Sequence, residues 1–164
     1  MKHLDTTPLS KLSEKSAGNL RQTSLYAHDV VIALKDFIND NFRGLAEVTI
    51  DKSDPTIIKI SPEYLAYLTK LVLKYTNGEA FTTIKASVTS RGIDIAYETD
   101  SDITLTKSEQ MDIVTAARTA GFDIFPINRG FLLYAPAEKK QGAAYVYANG
   151  TKWLHDIFNK TFFS

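Results

Sequence analysis

The 164-residue chain contains no cysteine. That one absence removes a disulfide framework, a thiol nucleophile and any thiolate metal site. There is no excess of either charge: 19 Lys plus Arg stand against 19 Asp plus Glu, a formal net charge of zero. Nucleic acids and anionic membranes select basic surfaces, so neither is expected as a partner. No apolar run approaches the ~18 residues of a membrane span, and Lys2 is not followed by the apolar stretch of a signal peptide. The expected location is the cytoplasm. Internal repeats and low-complexity segments are also missing. What is present, 44% hydrophobic and 23% charged residues, suits a globular domain with a helical extension. A chain of this size buries roughly 68–70% of its unfolded surface, so it needs no metal or disulfide staple.

The most regular stretch is Ser61 to Tyr97. Ser61 is a good N-cap, Pro62 sits where a first-turn proline costs nothing, and Glu63 suits the positive end of the helix dipole. Tyr64, Leu65, Leu68, Leu71, Val72 and Tyr75 then recur at helical spacing as one apolar stripe. Asn77-Gly78 is expected to stop the helix in a left-handed turn. Alternation follows, with Ile84, Ala86 and Val88 on one face, then Ile93, Ile95 and Tyr97 beyond the Ser90-Arg91-Gly92 turn. One face is apolar and one polar, as in an antiparallel pair with a single buried side. The pattern returns at Thr106 to Ala135. Thr106 and Glu109 fit a capping box, Met111, Val114 and Ala117 line a helix, and Gly121 stops it. A second hairpin turns at Asn128-Arg129-Gly130. Pro126 lies inside its first strand, which places that strand at an edge or a bulge.

The rest of the chain is less regular. Leu9, Leu12, Leu20, Ala27, Val30, Val31, Leu34, Phe37 and Ile38 follow Thr7-Pro8 at mixed three- and four-residue spacings. They predict either a long helix with a soft middle or two helices broken near Gly18. Such an arm offers a stripe for pairing with a second copy, or folds back on its own domain. Val48 and Ile50 mark a short strand, Asp51 to Pro55 a turn, and Ile57, Ile58 and Ile60 the next strand of the same sheet. Ala144 to Ala148 fits a last strand, and Trp153, Leu154, Ile157 and Phe158 one side of a closing helix. The paired Phe162 and Phe163 are expected to be docked. The resulting expectation is α+β: a two-layer sandwich with a mostly antiparallel mixed sheet, helices on one face and an N-terminal helical arm. Its parts are a possible dimerisation region, residues 1–43, and a sandwich domain, residues 44–164.

In this order the elements resemble the catalytic ATP-binding domain of sensor histidine kinases. The resemblance covers roughly residues 29–136. It begins at Asp29-Val30-Val31, takes in the helix ending Lys74-Tyr75-Thr76 and is closest in the segment from Met111 to Pro136, MDIVTAARTAGFDIFPINRGFLLYAP. It implies an α/β sandwich with helices on one face and a role in two-component signalling. The departures fall on the nucleotide site. Aligned on Lys74-Tyr75-Thr76, the family's magnesium-holding Asn is Leu71, which offers no oxygen to a hard cation. The family's Asp-x-Gly-x-Gly motif falls on Glu98-Thr99-Asp100-Ser101-Asp102, so Asp100 and Asp102 replace both glycines and would repel phosphate. Only Thr104 to Ser108 separates that turn from the next helix, too short for a phosphate lid. The resemblance thus implies a degenerate kinase fold with no nucleotide cofactor, no metal and no catalytic residues, working through protein contact as a homodimer. A working ATP-binding domain with differently aligned motifs, or an unrelated α+β binding module, are the alternatives.

Two histidines echo a phospho-acceptor. His3 precedes Thr7-Pro8-Leu9 in the register of the family's acceptor box, with Leu4 where an acid normally follows, and His28 is followed by Asp29. About forty residues before the Val48 strand are too few for a two-helix acceptor hairpin at 1.5 Å per residue. Short motifs of this kind match often by chance. Glu98, Asp100 and Asp102 have the alternate spacing of a cation site, but no glycine completes a calcium loop, and a solvated turn is the expectation. His155 beside Asp156 offers a catalytic pair and Asn128-Arg129-Gly130 an anion-binding turn, but no motif places a nucleophile, and the expectation is a surface histidine and a plain hairpin turn. The tyrosines are expected to serve packing.

Overall fold

In the computed structural model, residues 22–77, 79–138 and 150–163 are described. In chain order the elements are β1 (Thr23–Tyr26), α1 (Ala27–Asn41), β2 (Ala46–Ser53), β3 (Ile57–Ile60), α2 (Pro62–Thr76), β4 (Thr82–Thr89), β5 (Gly92–Thr99), α3 (Lys107–Ala120), β6 (Asp123–Ile127), β7 (Gly130–Pro136) and α4 (Gly150–Phe163).

The helix starts are local events. The Ser61 hydroxyl accepts from the Tyr64 N–H at 3.4 Å, with Pro62 in the first turn. At α3 the capping box is complete: the Thr106 N–H donates to Glu109 at 2.9 Å and the Glu109 N–H to Thr106 Oγ1 at 3.1 Å. Gly121 closes α3 with a left-handed φ of 104°, open to glycine at little cost. Of the expected Asn77-Gly78 stop of α2, Gly78 lies outside the described residues. Asn77 leaves the helix extended, at φ −57° and ψ 122°, and α2 stops without a left-handed residue at that position.

Five strands form one sheet in the order β2-β4-β5-β7-β6. β2 and β4 are parallel and the other neighbours antiparallel. A parallel pair needs a long crossover, and β3 with α2 supplies it. Ile84, Ala86 and Val88 of β4, Ile93, Ile95 and Tyr97 of β5, and Leu133 and Ala135 of β7 are buried on one face. This is the α+β sandwich that the alternation predicts. β6, which carries Pro126, is an edge strand, where a missing donor is tolerated.

Three expectations fail near the start. Residues 23–26 form a strand where a helix was expected; they pair antiparallel with β3 from Thr23↔Ile60 to Tyr26↔Ile57. The run of isoleucines in β3 needs a ladder partner, and this short segment provides it. β3 therefore lies in a two-stranded sheet of its own, outside the main one. β2 also runs further than expected, to Ser53, through an irregularity between Ile50 and Lys52 that breaks its alternation.

The stripe of α1 is used inside the domain. Val30, Val31, Leu34, Phe37 and Ile38 are buried, and Phe37 meets Phe158 at 5.8 Å and Phe162 at 4.8 Å between ring centres. So α1 folds back onto its own domain, and the apolar side chains from Val30 to Ile38 are not left open for a second copy. The docked Phe162 and Phe163 of α4 complete the cluster, Phe163 lying 5.9 Å from Phe42. Trp153 packs partly buried on the same core, beside the buried Leu154, Ile157 and Phe158. The expected Ala144 to Ala148 strand and residues 1–21, with His3, lie outside the described residues.

Leu68 and Ile95 have no exposed surface. Leu68→Ala and Ile95→Ala should each lower stability by roughly 2–5 kcal/mol. Lys85, on the open face, should lose at most ~1 kcal/mol on replacement by Ala. Urea melts that rank Lys85 above either apolar residue would contradict this register.

Candidate functional site

Between α2, α3 and the end of the sheet lies a cavity of about 550 Å³. Its size is that of a small-molecule site. Val72, Tyr75 and Thr76 of α2 form one wall, and Ile113, Val114 and Arg118 of α3 the other. The floor is aromatic: the Tyr97 and Phe131 rings stack at 4.8 Å with 18° between planes. They meet because Tyr97 and Phe131 are register partners in β5 and β7 and share the buried face. Gly130, next in the chain, has no room for a side chain, since a Cβ there would lie 1.7 Å from the Tyr97 carbonyl oxygen.

The polar groups of the wall are largely occupied. The Tyr97 hydroxyl and Thr69 Oγ1 lie 2.8 Å apart, and Thr69 also donates to the Leu65 carbonyl at 2.9 Å. Burial pushes the Tyr97 phenol far above its ordinary pKa, and the bond to Thr69 opposes that shift. The Tyr75 hydroxyl donates to Asp112 at 3.3 Å. Its pKa is pushed up to about 12, first by burial and then by the negative charge of Asp112. Thr76 donates back to the Val72 carbonyl at 2.8 Å. Arg118, exposed at the rim, has no ion pair or side-chain hydrogen bond among the described residues.

The three acidic residues singled out in the sequence have different places and partners: Glu98 lies in β5 on the open face of the sheet, and Asp100 and Asp102 lie in the turn that follows β5. Glu98 is held by Lys85 at 3.2 Å. Asp100 accepts from the Phe81 N–H at 2.9 Å. Asp102 pairs with Arg129 Nε at 3.1 Å, and Arg129 Nη1 also donates to the Asp100 carbonyl at 3.3 Å. The Thr99 N–H donates to the Arg129 carbonyl at 2.9 Å. The acidic turn is thus stapled to the β6–β7 hairpin. Among the described residues no three His, Cys, Asp or Glu side chains gather as a metal-binding group. Leu71 is buried in the core and does not reach the cavity; the wall begins one residue later, at Val72.

The histidines are elsewhere. His28 sits in the first turn of α1, exposed, its Nδ1 hydrogen-bonded to Ser53 Oγ. His155 Nε2 lies 3.8 Å from Asp36, joining α4 to α1. Arg129, expected only as part of a plain hairpin turn, instead pairs across to another turn. It sits at φ 58°, an uncommon conformation for a side-chain-bearing residue, and its guanidinium ties the turn after β5 to the β6–β7 turn at the rim. The signal was an arginine in one turn and acids in another, joined through the β5–β7 register that sets Glu98 opposite Gly130.

No protein-family model matches this sequence, and no curated protein matches it significantly. Solved structures do. The Acinetobacter baumannii histidine kinase AdeS superposes with a TM-score of 0.53 at 11% identity, over 79% of this chain and 74% of its own. The ATP-binding domain of PrrB from Mycobacterium tuberculosis gives 0.51 at 15% identity, over 72% of this chain and 98% of its own. The chain has the fold of a histidine-kinase ATP-binding domain. The sandwich of that fold is thus present, with α1, α2 and α3 packed on one sheet. No helix among its described residues is long and apolar enough to cross a membrane.

An alkaline titration tests the Tyr75–Asp112 contact. Tyr75 ionises near 10 when unfolded and near 12 when folded. Its contribution to stability is therefore full below pH about 10 and is lost as pH rises toward about 12. Tyr75→Phe should flatten the fall of the urea midpoint across that window. An unchanged slope would show that Tyr75 titrates freely.

Proposed function

We propose that this chain is a histidine-kinase-like domain of two-component signalling with a degenerate nucleotide site, acting through protein–protein contact. The observation that carries this reading is the stapled acidic turn. Asp100 and Asp102 occupy the positions at which the family resemblance calls for glycines, and Arg129 with the Phe81 N–H holds that turn in place. Phosphate approaching the mouth from this side meets carboxylates, and Arg129 beside them is already paired; Arg118 stands on the other wall, on α3. At the position that the resemblance assigns to the metal-holding Asn, Leu71 points its carbon chain into the core. Neither His3 nor His28 is assigned a phosphoryl group in this reading.

One observation favours the alternative of a working ATP-binding domain. The cavity between α2 and α3 is open and of small-molecule size. Isothermal titration with ATP and magnesium separates the two. The degenerate reading expects no measurable heat; a dissociation constant in the micromolar range would overturn it.

Pairing of two copies through the N-terminal region then falls to the part before Gln22, since the Val30–Ile38 stripe is used internally. Light scattering of the full chain and of residues 22–164 should show a dimer and a monomer respectively. A monomeric full chain at tens of micromolar would end the dimer proposal.

A further inference from the structure

The sheet has a second face, away from the helices. Phe125 of β6 pairs with Leu132 of β7, and Leu132 with Ala96 of β5, so the three lie in one row across that face. Phe125 is 48% exposed, an unusual placement for a large apolar ring. Leu132 and Ala96 are half-buried beside it, and Lys85 of β4 continues the row. The flanking rows are acidic. Asp123 and Asp94 lie on either side of Tyr134, and Glu98 lies on the other flank. Asp94 and Asp123 make no ion pair or side-chain hydrogen bond among the described residues. Lys85, the base of the central row, is already tied to Glu98 at 3.2 Å, and the other base, Lys52 of β2, stands beyond Ser87 at the far end of the Asp94 row.

The chemistry of this face narrows its occupant. Strand addition at the adjacent edge is disfavoured, because Pro126 in β6 lacks a donor for the ladder. A second copy would set acidic rows against acidic rows, and like charges across an interface are repulsive. An apolar centre with free carboxylates beside it is complementary to a helix that carries an apolar stripe flanked by Lys or Arg. We propose that this face receives a basic amphipathic helix of a partner protein, with Phe125, Leu132 and Ala96 under its apolar stripe and Asp94 and Asp123 beside its cations. The inference rests on the reading of the chain as a protein-contact domain and names the surface used.

The probe is a fluorescent amphipathic helical peptide of Leu and Lys, titrated against the full chain by anisotropy. Its counterpart has Glu in place of Lys. The Lys peptide should bind and the Glu peptide should not. Phe125→Ser and Asp94→Lys should each weaken binding by about tenfold or more, as central residues of an interface do. Asp156→Lys, on the exposed side of α4, makes the same change in net charge and should leave binding unaltered. Circular dichroism establishes that each variant is folded. Equal weakening by Asp156→Lys and Asp94→Lys would reduce the effect to net charge and overturn the site. So would binding that ignores Phe125→Ser, or a dimer of the full chain that Phe125→Ser dissolves without peptide. Nucleotide binding is measured independently, so a failed peptide titration removes this surface without deciding the nucleotide question.

Discussion

The bond between the Tyr97 hydroxyl and Thr69 is the contact on which the two layers depend. Tyr97 is a fully buried phenol on the sheet, and an unpaired hydroxyl there would carry the full desolvation penalty. Thr69 answers it from the middle of α2, while keeping its own bond to the Leu65 carbonyl. This fixes where α2 sits over β5. The position of α2 in turn sets one wall of the cavity, and Tyr97 with Phe131 sets its floor.

A second constraint is electrostatic and lies at the rim. The turn after β5 concentrates carboxylates where the chain approaches the cavity. Asp100 there accepts a hydrogen bond from the Phe81 amide and Asp102 pairs with Arg129 in the β6–β7 turn, while Glu98, inside β5, pairs with Lys85 on β4. The pairs with Lys85 and Arg129 are exposed, and each contributes little to stability alone. Together with the Phe81 bond and the backbone bond from Thr99 to Arg129, they hold one geometry at the mouth. The same arrangement engages Arg129 and leaves Arg118, on α3, as the unpaired cation of the rim among the described residues.

The two faces of the sheet divide the work. One is closed by helices and carries the core and cavity. The other keeps an apolar row with Asp94 and Asp123, unpaired among the described residues, on one flank and the paired Glu98 on the other. The aromatic cluster of Phe37, Phe42, Phe158, Phe162 and Phe163 explains why α1 is part of the sandwich: α4 covers its stripe from the far end of the chain.

Local chemistry determined the helix starts, the two hairpins and the edge position of Pro126. A cap, a proline or an alternating run acts within a few residues, so Ser61, Thr106 and Ile84 to Tyr97 were legible without a fold. The αβ sandwich order was legible for the same reason, and it carried the kinase-like resemblance. Tertiary structure decided the rest. Residues 23–26 became a strand because β3 needed a partner, and that preference is invisible in four residues of mixed propensity. The α1 stripe looked available for a second copy because its cover, α4, comes more than a hundred residues later. Arg129 and Asp102 meet through the pairing of β5 with β7, which no local spacing encodes. Short-range interactions are written in neighbouring residues; ion pairs, cavities and covered faces depend on which distant segments the fold brings together.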